Sequence, residues 1–552
     1  MKGPNPVKWL FKRAQGQKRN LVFLILANAF FSVLMVGFAY VVKIVIDGAV
    51  NKNTNLFIFG VIAIVSIVLL QFVFRLLING LVEHIKGRLE IGYKTSVFKA
   101  ILNKKYSQVT KYHSGELMNR LTADVSVVAD GVSTILPTVV SSVVRLVLAV
   151  VVLCFIDWIF ALAFVVAGLM VFLVVTLLKG KLKSLHKKSQ ETDGKTRSYM
   201  QESIENVLAI KVFSVSERTQ KTASDLQEKN FKVKMQRRNF AILGHSTYNF
   251  IFSAGYIFAL IFGAIKIFNG TLGFGYGDLS AILQLVNSVQ VPFASLSGVM
   301  PKYYATLASA ERLIEIENLE EDNTVNLVDP STLYKNFTRI CAEDLTFSYD
   351  GRDLIYKNAF LDIKKGESVA ITGASGIGKS TIMKLLLGVY PPLDGSLYFD
   401  CGNQRISVDE STRSLFSYVP QGNMLFSGTI RDNVTLIKGD ATEEEIAFAL
   451  KVSMASDFVN ALPNGLDTEV GENGLGLSEG QVQRLAIARA VLTKAPVLLL
   501  DEATGSLDEQ TEKQVISNLL QLKDSTIVLI SHRRSAAEMC DRIINVDDKK
   551  FS

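Results

Sequence analysis

Cysteine is scarce and scattered: Cys154, Cys341, Cys401 and Cys540 are the four present, with no CxxC pair and no metal-ligand spacing. This argues against a disulfide scaffold and against a zinc site. Charged residues make up 20% of the chain, while 49% is hydrophobic and mean hydropathy is +0.28. A chain this apolar is not a set of soluble domains, so part of it lies in lipid. Acidic residues are missing from the first 20 positions, which hold six Lys or Arg. Proline is absent from 83–130 and 179–240, so nothing there interrupts a helix. The net charge of +7 hides an asymmetry, since residues 1–278 carry 34 basic and 15 acidic side chains and residues 279–552 carry 25 and 37. The basic excess belongs to the apolar half and gives no ground for a nucleic-acid footprint.

What is present begins with apolar runs near 21–46, 56–77, 137–156, 159–178, 248–265 and 279–300, each about 20 residues, the length that crosses roughly 30 Å of hydrocarbon. Gln284, Asn287, Ser288, Gln290 and Pro292 weaken the last. Loop charge supports it. The segments 83–130 and 179–240 hold eight and fifteen basic residues, whereas the alternate loops are nearly bare. Basic loops stay cytoplasmic, so both termini are expected there, which needs an even number of crossings. The first apolar run is too long for a signal-peptide core. The two basic loops read as helices continuing out of the membrane.

Beyond Glu311 an acidic stretch leads into apolar strands alternating with helical segments. The expected organisation is a six-span helical membrane domain at 1–315, a linker at 316–336 and an α/β domain at 337–552 with largely parallel strands. Gly373–Ser380, GASGIGKS, fits GxxxxGK[ST] between a strand and a helix. Backbone N–H groups around Gly373, Ser375, Gly376 and Gly378 would cradle phosphate oxygens, Lys379 would neutralise the terminal phosphates, and Ser380 would ligate Mg²⁺, with Thr381 beside it. Val497–Leu500 precede Asp501 and Glu502, so both carboxylates emerge at a buried strand end. One can hold Mg²⁺ and the other can orient and deprotonate water.

With LSEGQ at Leu477–Gln481, 20 residues before Asp501, nearly the whole chain resembles a half-size ABC transporter of the exporter type, a membrane domain followed by a nucleotide-binding domain. The resemblance implies an α-helical six-span transmembrane domain plus an α/β P-loop ABC nucleotide-binding domain. It implies that Tyr349 in LTFSYD stacks on adenine, that Gln421 in YVPQGNM links Mg²⁺ and attacking water to the membrane domain, and that His532 in LISHRRS contacts the γ-phosphate. Asp508 in GSLD matches the family's aspartate, and TEVGENG at 468–474 resembles the segment that touches the cytoplasmic loops. Those loops would carry short coupling helices near 107–114 and 206–213. The chain stops about 20 residues before the family's usual end.

In this family Ser478, Gly480 and Gln481 of one subunit cover the nucleotide of the other, so two ATP molecules with Mg²⁺, held through Ser380, Gln421 and Asp501, would be sandwiched in a dimer. A homodimer is the simplest expectation and a heterodimer the alternative. Arg145 falls 12 residues before Asp157, about 18 Å inward and near mid-membrane. Arg75 can snorkel. His245 and Asn249 share one helix face, and Gln284 and Asn287 another. Interhelical hydrogen bonding and a substrate-lining role are equal readings of these stripes; with Arg145 they would favour an acidic or strongly polar substrate. The expected function is ATP-driven export of a drug, lipid or peptide-like substrate across the plasma (cell inner) membrane. An importer of metal chelates is the alternative, and a gated channel is disfavoured by Glu502. Six spans exclude a soluble ATPase acting on nucleic acid. With about 20 residues before the first span, no leader peptidase domain is expected there.

Overall fold

A computed structural model describes residues 5–551 apart from 272, 323–327, 403, 423–424, 472–473, 475 and 523–524; the side chains of 172, 174, 175, 178, 179, 182, 183, 186, 245, 294 and 297 also fall outside the description. Two compact units result, one of Met1–Ala100 with Ser114–Asn318, the other of Ile101–His113 with Leu319–Ser552. The segment 101–113 thus clusters with the second unit, although the sequence reading put it in the membrane domain.

Helices follow in order as α1 (Pro6–Arg13), α2 (Lys18–Val50), α3 (Thr54–Leu102), α4 (Tyr106–Val109), α5 (Ser114–Asn119), a π-helical turn (Arg120–Asp124), α6 (Val125–Ile156), α7 (Trp158–Glu205), α8 (Val207–Val212), α9 (Ser216–Phe268) and α10 (Tyr276–Glu317). The 53 residues of α9 run about 80 Å at 1.5 Å each, well over the 30 Å of hydrocarbon, so the helix continues far beyond one. Among the described residues five stretches are long and apolar enough to span: Pro6–Val50, Thr54–Leu102, Ser114–Ile156, Ser216–Phe268 and Tyr276–Glu317. The span expected at 159–178 appears as a shorter apolar run, Trp158–Val171, at the start of α7; several side chains after it fall outside the description.

In this unit α2, α6 and α10 pack on one another and α7 lies along α9. Small residues allow the approach: Ala39, Ala149, Ala161 and Ala259 are buried beside Val36, Leu153, Phe160, Ile282 and Leu285. A Cβ on Gly131 of α6 would stand 2.0 Å from Thr306 Oγ1 of α10, so glycine is required there. Charges near the span ends are paired, as desolvation demands: Lys43 with Asp278, Lys266 with Asp157, Lys302 with Asp130 and Arg312 with Asp124.

Two expectations shift. The helix expected at 107–114 lies earlier, at α4, because Thr110 closes the turn with its Oγ1 on Tyr106 O (3.0 Å) and a separate helix starts at Ser114. The stretch 316–336 contains α11 (Pro330–Asn336), which Asp329 caps by accepting from Thr332 N at 3.0 Å with Pro330 in the first turn.

The second unit has strands β1 (Arg339–Phe347), β2 (Tyr356–Lys364), β3 (Ser368–Gly373), β4 (Asp394–Asp400), β5 (Arg405–Ser407), β6 (Phe416–Val419), β7 (Gly428–Thr429), β8 (Glu469–Val470), β9 (Val497–Asp501), β10 (Thr526–Ile530), β11 (Arg542–Asp547) and β12 (Lys550–Phe551). Its helices after α11 are α12 (Lys379–Leu386), α13 (Ile430–Val434), α14 (Glu443–Val452), α15 (Ser456–Ala461), α16 (Glu479–Leu492), α17 (Glu509–Leu520) and α18 (Arg534–Ala537). One sheet, ordered β2-β1-β4-β5, is antiparallel; the other runs β12-β11-β3-β10-β9-β6, parallel from β11 to β6. Every residue of β9 and β10 is buried, which explains the apolar runs Val497–Leu500 and Ile527–Ile530 within them.

Candidate active site

Topology gathers the site. In the order β3-β10-β9-β6, the carboxyl ends of four adjacent strands carry the phosphate loop, His532, Asp501 with Glu502, and Gln421. Register fixes the level: Ile530 pairs with Asp501, and Val419 with Leu500. Ligands of parallel sheets bind at such ends.

Gly376 and Gly378 have φ of +78° and +118°, and a Cβ on Gly378 would meet Ile355 at 2.5 Å, so the loop's conformation is open only to glycine there. Lys379 Nζ curls back to the carbonyls of Gly373 and Ala374, each at 3.0 Å. Tyr356, buried and missed by the sequence reading, donates its hydroxyl to Gly378 O at 2.9 Å. Ser375 lies in the same loop, and Thr381 follows Ser380 in α12, buried.

Two polar clusters flank the loop. In the first, Ser380 Oγ donates to Asp501 Oδ1 at 2.8 Å and the Tyr418 hydroxyl to Asp501 Oδ2 at 3.1 Å. Burial raises the Asp501 carboxyl above its ordinary value, opposed by those two hydrogen bonds. Tyr418 was also missed; its phenol is pushed up by burial and by the Asp501 charge. In the second, Glu502 accepts from Gln421 Nε2 at 2.6 Å and meets His532 Nε2 at 2.7 Å, and its side chain is 21% exposed. Glu502 has φ +50°, a left-handed backbone that turns its side chain out of the strand. Arg533 braces the following turn through the buried Glu512 (2.8 Å) and Leu507 O (2.8 Å).

Ser478 and Gln481 form a capping box at the start of α16, with Ser478 N on Gln481 Oε1 at 2.9 Å, and Gly480 approaches Ser506 O. Among the described residues no hydrogen bond joins these three to Gly373–Thr381. Asp508 caps α17 through Thr511 N at 2.9 Å, and hydrogen bonds from the Thr511 side chain and backbone hold its carboxyl below the ordinary range; within this chain it is a helix cap. Glu472 and Asn473 of the 468–474 segment lie outside the description.

Tyr349 is 47% exposed, and its hydroxyl lies 3.2 Å from Thr381 Oγ1. Tyr390 meets its ring edge-on at 5.0 Å and meets Tyr106 of α4 at 5.8 Å, with Thr110 Oγ1 3.3 Å from the Tyr390 hydroxyl. An aromatic chain therefore joins the adenine-stacking candidate to the segment 101–113.

In the membrane unit, Arg145 donates through Nη1 to Ser288 O at 3.4 Å, and among the described residues its Nε has no hydrogen-bond partner. Asn249 Oδ1 accepts from Gln290 Nε2 at 3.2 Å; Gln284 is half-buried and Asn287 exposed. The side chain of His245 lies outside the description. The structure thus brings Asn249 to Gln290, a partner from α10 that the stripe reading left out.

A loop of backbone amides with a lysine, a serine paired to a buried carboxylate, and a second carboxylate between an amide and an imidazole make an NTP-hydrolysing P-loop site on a chain with spanning helices. The family pattern of the ABC transporter transmembrane region matches residues 20–293 and that of the ABC transporter matches 356–505. The chain belongs to the ABC transporters, as a half-size exporter-type subunit whose ATPase unit is coupled to transport; it is an integral membrane protein, and such exporters act as dimers. It is 28% identical over 537 residues to an ATP-dependent lipid A-core flippase of Haemophilus influenzae, covering 96% of this chain and 89% of that one. With the ATP-dependent permease MDL1 of Candida albicans it shares 31% identity, covering 80% and 66%. A bacterial Atm1-family ABC exporter solved with ATP bound has the same fold, with TM-score 0.82, 24% identity, and coverage of 97% and 94%.

Proposed function

We propose that the chain exports a lipid-like or other amphiphilic substrate by alternating access, as one half of a homodimer in the plasma (cell inner) membrane with both termini cytoplasmic. The carrying observation is the Gln421–Glu502–His532 trio beside the Ser380–Asp501 pair. Glu502 accepts a proton from attacking water, Gln421 and His532 hold its carboxylate in position, and Lys379 with the loop amides carries the phosphates. Ser380, Asp501 and the amide oxygen of Gln421 are hard oxygen donors of the kind that suits Mg²⁺, which would neutralise charge on the phosphates. Tyr349 stacks the base. Ser478, Gly480 and Gln481, at the positive end of α16, would meet the partner's nucleotide. Intact hydrolytic groups support two equal sites, and the lipid flippase relative supports a lipid-like cargo. Arg145 and the polar positions Asn249, Gln284 and Asn287 face that cargo in this reading; Arg145→Ala is expected to abolish its stimulation of ATPase activity.

The test is basal ATPase activity of the chain purified alone in lipid, beside Glu502→Gln, with the oligomeric mass taken on the same sample. Activity from a dimer that vanishes in the variant supports the reading. An inactive or monomeric sample, restored by a co-expressed second subunit, replaces the homodimer with a heterodimer.

A further inference from the structure

Arg413 caps the far end of the phosphate-loop helix α12. The helix stops in a Schellman turn, with Gly388 N on Leu385 O at 2.9 Å and Val389 N on Lys384 O at 3.2 Å. Gly388 has φ +60°, and a Cβ there would stand 2.4 Å from the Asp409 backbone. The carbonyls of Leu387 and Gly388 remain at the negative end of the helix. Arg413 takes both, through Nε to Leu387 O at 3.1 Å and Nη2 to Gly388 O at 3.4 Å. Its other edge grips Asp322, with Nη1 to Oδ2 at 2.8 Å and Nη2 to Oδ1 at 3.4 Å; the side chains are 29% and 14% exposed.

Asp322 belongs to a small antiparallel patch. Its N–H donates to Asn103 O at 2.9 Å, Lys105 N donates to Glu320 O at 3.0 Å, and Lys104 bridges to Glu321 between them. Gln108 Oε1 accepts from Glu320 N at 2.9 Å, and Lys104–Glu321 and Lys105–Glu320 ion pairs lie alongside. Asn103–Lys105 follow directly on α3, and Leu319–Asp322 follow closely on α10. The patch therefore joins one end of each of two long helices, and the arginine ties that junction to the helix that carries Lys379 and Ser380.

We propose that Arg413 is a positioning residue that passes displacement of the phosphate-loop helix to the junction between 103–105 and 319–322. This rests on the reading of the chain as a nucleotide-driven transporter. The planar fork is what serves: four acceptors on two sides need a guanidinium, which the single ammonium of lysine cannot span. Arg413 touches neither the phosphate loop's glycines nor the Glu502 trio, so its removal separates nucleotide binding from its consequence.

The test follows hydrogen exchange of the 101–113 and 319–322 amides in lipid-reconstituted full chain, with and without Mg²⁺-ATP and vanadate, beside the affinity for a fluorescent ATP analogue. In Arg413→Ala, Arg413→Lys and Asp322→Asn the nucleotide affinity is expected to stay within about fivefold, the most that a solvent-edged ion pair carries. The ATP-dependent change in exchange is expected to disappear in all three, and Arg413→Ala with Asp322→Asn together is expected to be no worse than either alone. An exchange response equal to the parent's, additive losses, or an affinity loss in parallel with the response would overturn the inference. Asp322→Asn, a near-isosteric change, keeps the test open if Arg413→Ala does not fold. A parent chain that neither hydrolyses ATP nor responds to it sinks the transporter reading itself, a different result from a responsive parent with responsive variants.

Discussion

Asp501 and Glu502 are neighbours in sequence, yet they sit in opposite environments. Asp501 is the last residue of a buried strand, 2% exposed, and both its oxygens accept from hydroxyls, Ser380 and Tyr418. Glu502 is turned out by a left-handed backbone and accepts from groups on two other strand ends, Gln421 and His532. One carboxylate is dry and paired to hydroxyl donors; the other is partly exposed and sits between an amide and an imidazole. On the function proposed above, the division of labour between metal holding and base chemistry would follow from where the strand stops.

The largest way to break this contrast is Glu502→Gln, expected to lower kcat for ATP by about 10³-fold while nucleotide binding persists, read by steady-state phosphate release beside equilibrium binding. Asp501→Asn should instead act through the metal, raising the Mg²⁺ concentration for half-maximal activity by about 10² and leaving the ATP-free fold intact. Because burial raises the Asp501 carboxyl, its ionised form opposes folding once pH passes the unfolded value near 4. Asp501→Asn is therefore expected to raise Tm of the ATP-free protein at pH 7, with the gain fading as pH falls towards 4. A lower Tm would refute that account of the cluster. His532→Ala removes one of two supports of Glu502 and should cost about 10- to 100-fold in kcat, partly recovered by His532→Gln. Tyr418→Phe is the smallest, about tenfold in Mg²⁺ dependence with kcat at saturating metal unchanged.

Much of this site was legible in the sequence because its chemistry is written in contiguous strings. GASGIGKS, LSEGQ and the carboxylate pair after VLLL each sit at the end of one element. Tyr418, Tyr356, Tyr390 and Arg413 were not legible, since each acts across the fold on residues 22 to 284 positions away, and nothing local distinguishes them from core or surface side chains. Asp508 shows the reverse: the string is present, but within the chain its carboxylate is occupied as a cap. Hydropathy located the long helices, because lipid imposes a length on them, yet it could not show that 101–113 packs with the ATPase unit. Polar stripes in α9 and α10 were visible by spacing; that Asn249 meets Gln290 required the packing.

The short helix α8 has a further consequence. Ile204, Leu208, Val212 and Phe213 on and beside it are 68–75% exposed. An assembled pair can hide such a tip, but a newly made subunit carries it in the open, where it is the kind of surface that chaperones and proteases seize.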